Sequence, residues 1–250
     1  MKLIDKILYY VTVPKCVGCG EKLCIDDKAL CKTCYRKYLD ILNKDCSSCA
    51  KNYNLCTCSN EYLTARGVKK LYKVFRYFPG ERNVANNLIF ALKKSNRKDV
   101  MEFLSDELAA AIIESGDNIT NCIFTNVPRR RATIAQYGYD HAAEIAKRLA
   151  KNFSCEYSKL LTSNSKKSQK ETSGEQRKAN PDFEYINEEI NLKGKQVIIV
   201  DDVVTTGASM AACTMLIRAL GAKQVIGASL SIAYKDDVIR FDLSDRFNKK

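Results

Sequence analysis

The sequence predicts an α/β protein built on a parallel sheet, preceded by a cysteine-rich head that binds metal. Three observations support this prediction. Nine of the twelve cysteines lie between Cys16 and Cys58. From Asn121 onward, apolar β-branched runs alternate with amphipathic stretches, as in chains of parallel strands and covering helices. The run 196–200 is apolar without alternation, as expected of a central strand covered on both faces.

The cysteine spacing indicates zinc rather than disulfides. We expect no secretory signal, because Asp5 and Lys6 interrupt the short apolar stretch at the N-terminus and no small-residue cleavage site follows. That stretch is better interpreted as a short packing helix. Two C-x2-C pairs then present four thiolates that can surround one Zn²⁺ tetrahedrally: Cys16, Cys19, Cys31 and Cys34.

A second set of four follows: Cys46, Cys49, Cys56 and Cys58. The single residue between Cys56 and Cys58 is a tighter gap than in a usual knuckle, so one zinc ion or two, and crossed pairing, both stay open. Cys24 is left without an assigned role. Four thiolates leave no open coordination position, so any zinc here is structural, and its binding would supply most of the folding free energy of so short a segment.

We expect the head to span residues 1–65 and a second domain to span 66–250. Basic and aromatic residues interleave from 70 to 78, where period-two alternation predicts a strand that ends at Pro79. That composition suits either single-stranded DNA or an ordinary buried strand. The candidate DNA-binding residues are Lys69, Lys70, Lys73 and Arg76.

Further elements follow in order. Helices are expected around 81–93, 99–114, 141–149 and 208–220. Strands are expected at 122–127, 196–200 and 224–233. The polar segment 162–180 is long enough to be a lid over a site or a basic surface loop, and both interpretations stay open.

The most informative string is the one from Val197 to Ser209, which reads VIIVDDVVTTGAS. A buried strand ends in Asp201 and Asp202, and a turn rich in hydroxyls then leads into a helix N-terminus. Backbone N–H groups and hydroxyls at such a turn bind phosphate, and paired carboxylates bind ribose hydroxyls and Mg²⁺. Phosphate beside a diol describes a ribose 5-phosphate.

This string resembles the phosphoribosyl-pyrophosphate (PRPP) signature of type I phosphoribosyltransferases. The resemblance implies that Asp201 and Asp202 hold the ribose diol with Mg²⁺ nearby. It also implies that the 5-phosphate is held by Thr205, Thr206, Gly207, Ala208 and Ser209. In that family a loop after an earlier strand holds pyrophosphate, and the matching residues here are Arg129 and Arg130, followed by Arg131.

The whole chain resembles the ComF family, in which a double zinc-ribbon head is fused to a phosphoribosyltransferase-like domain. The stretches that carry this resemblance are 88–93, 137–142 and the residues Gln169, Arg177, Asn180 and Phe183. The chain departs from the family pattern at Tyr137, Asp140 and His141. The resemblance implies a role in DNA uptake during natural transformation, with PRPP, single-stranded DNA and, as a further candidate, a competence helicase as partners.

The charge distribution fits a polyanionic or phosphorylated partner. Residues 66–180 carry 22 basic and 12 acidic side chains, whereas the remaining residues are close to neutral. No apolar run is long enough for a transmembrane helix, so we expect a cytoplasmic protein without membrane insertion.

Two alternatives to a PRPP-binding competence protein stay open. One is a metabolic phosphoribosyltransferase that acts on a nucleobase or an amine. The other is a DNA-binding or helicase-docking module with a vestigial PRPP pocket. The intact Asp201–Asp202 pair argues against a vestigial pocket. The absence of a recognisable base-specificity hood argues against the metabolic enzyme.

Overall fold

A five-stranded parallel sheet forms the centre of the molecule. The computed structural model describes residues 14–130, 134–135, 138–163, 183–187 and 189–233. The sheet order is β1-β7-β6-β2-β3, and every neighbouring pair is parallel. Its strands are β1 (Leu71–Arg76), β2 (Ile123–Asn126), β3 (Glu156–Tyr157), β6 (Gln196–Val204) and β7 (Gln224–Ile232). A separate antiparallel pair is formed by β4 (Leu161–Ser163) and β5 (Phe183–Tyr185).

Helices cover both faces of the sheet, as the sequence predicts. The helices described are α1 (Lys32–Leu42), α2 (Glu61–Ala65), α3 (Val84–Ser95), α4 (Lys98–Glu114), α5 (His141–Asn152) and α6 (Ala208–Ala219). Ile198 and Val200 of β6 join the core that contains α3, α4 and α5. Val197 and Ile199 join the opposite core with α2 and α6. The central strand is therefore buried on both faces, which is why its sequence shows no alternation.

The cysteine-rich head packs directly on the edge of this sheet. Tyr38 of α1 is fully buried, and its ring lies 5.4 Å from that of Phe103 and 6.1 Å from that of Phe75. Leu71 N donates to Thr57 O at 2.9 Å along the outer edge of β1. In each of the two cores, residues from both sides of the expected boundary at 65/66 thus pack together. That boundary stays a prediction.

Among the described residues, the predicted helices and strands are present and differ mainly at their ends, whereas α1, α2, β3, β4 and β5 were not predicted. Strand β6 continues to Val204, four residues beyond the expected end at Val200, because it stays paired with β7 up to Ile232. Strand β1 is buried on both faces despite its alternating sequence. Gly221 follows α6 with φ +94°, the left-handed geometry expected of a helix C-cap.

Several sequence-based expectations concern residues outside the described ranges. These are the N-terminal helix, Arg131, Tyr137, most of the 162–180 segment with Gln169, and Arg177 and Asn180. None of the helices described for this chain combines the length and the apolar character needed to cross a bilayer.

Candidate functional site

The two adjacent carboxylates lie near the carboxyl end of β6, on the side of the sheet where the parallel strands end. Asp201 is paired with Ser229 of β7, and the neighbouring Val200 is paired with Asn126 at the end of β2. Side chains alternate across a strand, so Asp201 and Asp202 point to opposite faces. The two carboxylates therefore have different environments although they are adjacent in sequence.

Asp202 is buried and held by two cations. The Arg129 guanidinium, which follows β2, donates from Nη2 to Asp202 Oδ2, and Lys93 Nζ of α3 lies 3.4 Å from the same oxygen. The other oxygen, Oδ1, accepts from Val203 N at 2.7 Å. Burial of a carboxylate costs free energy unless it is paired and hydrogen-bonded, and Asp202 is both.

Asp201 is partly exposed and less well compensated. Its Oδ1 accepts from Asp202 N at 2.9 Å. Desolvation raises the pKa of Asp201 to about 6, although Lys93 and Arg129 act in the opposite direction and Asp140 adds to the rise. The protonated form is thus favoured more than in an ordinary aspartate, and a bound cation or hydroxyl donors would favour the charged form.

The 205–209 turn joins β6 to α6 and has the geometry of an anion site. Gly207 is the N-cap of α6 with φ +83°, and it provides no side chain to cap the helix. Thr205 and Thr206 are exposed, and Ala208 N lies 3.3 Å from Thr206 Oγ1. Backbone N–H groups at a helix N-terminus, with hydroxyls beside them, favour a phosphate.

Gly207 is required at this turn for two reasons. A residue with a side chain rarely adopts a φ of +83°. In addition, a Cβ atom at Gly207 would lie 2.6 Å from Cγ of the buried Leu63 in α2. The turn is therefore packed against the segment that leads out of the head.

Parallel strands bring most of the predicted site together. Arg129 and Arg130 follow β2, next to the end of β6, but only Arg130 is exposed. Arg129 is largely buried because it pairs with Asp202. In this structure Arg129 therefore neutralises the buried carboxylate of Asp202.

Lys93 is a site residue that the sequence analysis did not select. It lies 3.4 Å from Asp202 because α3 ends beside the carboxyl ends of the strands. The only available signal was its place in the 88–93 stretch that resembles the ComF family. The resemblance marked the segment, but it did not assign the lysine a role.

His141 is fully buried at the start of α5. Its Nε2 lies 2.9 Å from Asn96 Oδ1. Desolvation lowers the pKa of His141 to about 4, and the nearby Arg129 and Lys93 contribute to the lowering. The imidazole is therefore neutral at pH 7. Asp140, the preceding residue, caps α5 by accepting from Ala143 N at 3.2 Å.

Both cysteine sets form compact clusters. The first cysteine cluster is Cys16, Cys19, Cys31 and Cys34, and the second is Cys46, Cys49, Cys56 and Cys58. Within each cluster all Sγ atoms lie within 4.8 Å of one another. Four thiolates about 2.3 Å from a zinc ion would be about 3.8 Å apart, and Cys19 Sγ is 3.8 Å from Cys31 Sγ. Each cluster could therefore hold one ion.

The two clusters are built on the same turn. Gly20 N donates to Cys16 O at 2.8 Å, and Ala50 N donates to Cys46 O at 2.8 Å. Although burial opposes it, backbone hydrogen bonds from Cys31, Cys19 and Gly18 lower the pKa of Cys16 to about 7. The pKa of Cys46 is likewise about 7. Thiolates are the form that binds zinc.

Lys73 must be removed from the candidate DNA-binding set. Its side chain is fully buried, and Nζ donates to Cys56 O at 2.7 Å and to Cys58 O at 2.8 Å, with Cys56 Sγ at 3.2 Å. It faces the second cysteine cluster because both faces of β1 are covered. Lysine at this position balances thiolate charge instead of facing solvent.

The other three candidates have separate environments. Lys69 is exposed, and Lys70 Nζ lies 2.6 Å from Asp117 Oδ1. Arg76 is partly buried, with its guanidinium 4.9 Å from the centre of the Phe78 ring. A continuous basic stripe along β1 is therefore interrupted at Lys73.

The unequal environments of the two aspartates predict opposite effects on stability. At pH 7 the free energy of unfolding of an Asp201→Asn variant should be higher than that of the wild type by on the order of 1–2 kcal/mol, because the variant no longer carries a desolvated carboxylate. Asp201 loses its proton near pH 3.8 when unfolded and near pH 6 when folded. As the pH rises from about 4 to about 6, the wild type therefore loses stability relative to the variant. Below about pH 4 the two proteins should have the same free energy of unfolding.

Asp202→Asn provides the matched comparison. It removes the charge of the carboxylate that both Arg129 and Lys93 contact, so it should destabilise the protein at pH 7 by about 1–3 kcal/mol. Urea unfolding of both variants from about pH 3.5 to pH 8 measures the two effects. Equal signs for the two variants would contradict the assigned environments.

Comparison with known proteins finds similarity in the part of the chain that contains this site. The family model for the phosphoribosyl transferase domain matches residues 101–237. The ribose-phosphate pyrophosphokinase of Pyrococcus furiosus is 28% identical over 168 residues, which cover 67% of this chain and 44% of that protein. Human hypoxanthine-guanine phosphoribosyltransferase is 38% identical over 22% of this chain and 29% of its own length. The chain thus spans less than half the length of these curated relatives.

Solved structures with partial similarity to this chain include adenine phosphoribosyltransferase from Saccharomyces cerevisiae. It has a TM-score of 0.39 and 19% identity, covering 55% of this chain and 72% of that one. Another adenine phosphoribosyltransferase has a TM-score of 0.40 and 18% identity, covering 66% and 86%. The family match begins within α4 and therefore leaves out β1 and the head. Since it includes more than half of the 250 residues, this chain belongs to the phosphoribosyl transferase domain family.

Proposed function

We propose that this protein binds PRPP with Mg²⁺ at the Asp201–Asp202 pair and the 205–209 turn. The observation that carries the proposal is the placement of two carboxylates near the carboxyl end of β6, which a short turn joins to the N-terminus of α6, where the N-cap residue Gly207 has no side chain. Thr205, Thr206, Gly207, Ala208 and Ser209 would hold the 5-phosphate. Asp201 and Asp202 would accept hydrogen bonds from the ribose hydroxyls.

The same residues fit a magnesium ion. Carboxylate oxygens and phosphate oxygens are the ligands that Mg²⁺ prefers, and both would be present with PRPP bound. A bound Mg²⁺ would neutralise charge on the pyrophosphate. Arg129 and Arg130 would then bind pyrophosphate oxygens, with Arg129 exchanging its partner Asp202 for the ligand.

The two cysteine clusters fit structural zinc. All eight donors are sulfur, and the sulfur atoms of each cluster are close enough for tetrahedral coordination. Zinc there would hold the head together, since the second cluster is accompanied by only one other buried apolar residue among those described, Tyr53. We therefore propose two structural Zn²⁺ ions per chain.

A role in DNA uptake during natural transformation is the cellular function we propose. Support comes from the combination of a cysteine-rich head with this domain, which resembles the ComF family, and from the net charge of +12. The protein would act in the cytoplasm and bind single-stranded DNA, with a competence helicase as a further candidate partner. A metabolic phosphoribosyltransferase is the alternative, and release of pyrophosphate on addition of nucleobases or amines would favour it.

The PRPP proposal predicts a loss of affinity when both carboxylates are neutralised. The Asp201→Asn/Asp202→Asn double variant should bind PRPP–Mg²⁺ at least about tenfold more weakly, because a charged acceptor forms the stronger hydrogen bond. Calorimetric titration measures this loss. Asp106→Asn on α4, which changes a carboxylate paired with Arg148, is the control. Equal affinity in wild type and double variant would contradict the proposal.

Gly207→Ala should weaken PRPP binding more than the double variant does. The added Cβ collides with Leu63 and forces the turn out of its geometry. Titration with ribose 5-phosphate isolates this effect, because that ligand lacks pyrophosphate. If the Gly207→Ala variant binds as tightly as the wild type, the turn is not the phosphate site.

The zinc proposal predicts two metal ions per chain. Elemental analysis of protein purified without added metal should give about two zinc atoms per molecule. Cys19→Ser and Cys49→Ser should each lower the content by about one, because they remove a ligand from different clusters. Iron in place of zinc, or thiols paired as disulfides, would contradict the assignment.

The DNA proposal predicts strongly salt-dependent binding. Replacing Lys69, Lys70 and Arg76 with Gln should weaken binding of single-stranded DNA at low salt and flatten its dependence on salt concentration. A charge-matched control replaces the exposed Lys22, Lys37 and Lys51 of the head. Fluorescence anisotropy measures both variants, and equal losses would place the DNA elsewhere on the protein.

A further inference from the structure

The segment between the second cysteine cluster and β1 lies against the 205–209 turn. The short helix α2 in this segment belongs to neither cysteine cluster and lies outside the matched family domain. Its residue Leu63 is fully buried in the core that also contains α6. Thus a part of the head forms one wall of the proposed phosphate site.

Two contacts connect this segment to the turn. Asn60 Nδ2 lies 3.3 Å from Thr206 O, so the amide donates to the carbonyl in the middle of the turn. Leu63 occupies the space that a side chain at residue 207 would need, with its Cγ 2.6 Å from the position of such a Cβ. One contact fixes the direction of a carbonyl, and the other limits the position of Gly207.

The orientation of the Thr206 carbonyl matters for anion binding. A carbonyl oxygen that turned toward a phosphate would repel it, whereas the following N–H groups attract it. The hydrogen bond from Asn60 holds that oxygen on the side of the head. Asn60 is itself held in place, because its Oδ1 caps α2 by accepting from Leu63 N at 2.8 Å.

The segment is also anchored to the second cysteine cluster. Asn60 follows Cys58 by two residues, and Cys58 O accepts from Lys73 Nζ of β1 at 2.8 Å. Ser59 Oγ donates to Val68 O at 2.6 Å, which closes the segment on itself. A short chain of fixed groups therefore runs from the cluster to the turn.

We propose that Asn60 and Leu63 are positioning residues that hold the 205–209 turn in its anion-binding conformation, and that the second cysteine cluster keeps them in place. This inference rests on the proposed binding of a 5-phosphate at the turn. It adds a function for the head that is independent of DNA.

Asn60→Ser tests the hydrogen bond without removing the helix cap. The serine hydroxyl oxygen can still accept from Leu63 N, but the serine side chain is too short to donate to Thr206 O. Affinities for ribose 5-phosphate and for PRPP–Mg²⁺ should both fall about threefold to tenfold. Affinity for Mg²⁺–pyrophosphate, whose proposed contacts are Arg129 and Arg130, should stay unchanged. The control is Asn83→Ser, because Asn83 caps α3 in the same way, with Oδ1 2.8 Å from Asn86 N.

Amide hydrogen exchange separates this inference from the proposed function. In protein without ligand, residues 205–210 should exchange several-fold faster in Asn60→Ser than in wild type or Asn83→Ser. Wild-type protein that fails to bind PRPP would refute the proposed function, and the exchange data would still decide the positioning role. Unchanged exchange and unchanged affinity in Asn60→Ser would overturn the inference.

A second pair of variants tests Leu63. Leu63→Ala opens space beside Gly207, so the Gly207→Ala/Leu63→Ala protein should bind ribose 5-phosphate more tightly than Gly207→Ala alone. Independent losses that simply multiply would show that the two residues do not interact. Cys49→Ser should likewise speed exchange at 205–210, whereas Cys19→Ser in the first cluster should not. Equal exchange at 205–210 in both cysteine variants would overturn the part assigned to the second cluster.

Discussion

Burial of β6 on both faces is the constraint on which the site depends. Its side chains alternate between two cores, and its backbone is bonded to β7 on one side and to β2 on the other. Because the strand is held on both faces and both sides, its carboxyl end has a fixed position. The carboxylates, the 205–209 turn and the arginines after β2 take their positions from it, as is typical of ligand sites at the carboxyl ends of parallel strands.

The site is a balance of opposite charges rather than a simple basic pocket. Asp202 is satisfied by Arg129 and Lys93, whereas Asp201 remains partly exposed and is desolvated enough to raise its pKa to about 6. The folded protein thus carries one carboxylate at a cost in stability. A ligand that brings hydroxyl donors and a divalent cation would favour the charged form of Asp201 and so offset that cost.

The head belongs to the structure of the site as well as to its own clusters. Edge strands tend to associate with other chains unless they are covered, and the head covers the outer edge of β1 with the segment around Thr57. Lys73 points from β1 into the second cluster, and α2 lies on the opposite core beside Gly207. The second cysteine cluster is therefore connected to the edge strand β1 through Lys73, and the head is connected to the 205–209 turn through α2.

The sequence by itself determined the local features of this protein. Cysteine spacing predicted two groups of four, and the compact clusters agree with it. The apolar β-branched run before Asp201 predicted the central parallel strand, since a strand buried on both faces needs no alternation. What the sequence did not determine were contacts between residues far apart in the chain. Lys73 was expected on a DNA surface because alternation does not show whether a sheet is covered on both faces. Lys93 was not selected, because only the tertiary structure brings the end of α3 to Asp202. The contact between Asn60 and Thr206 joins residues 146 positions apart, and packing of the head on α6 alone decided it.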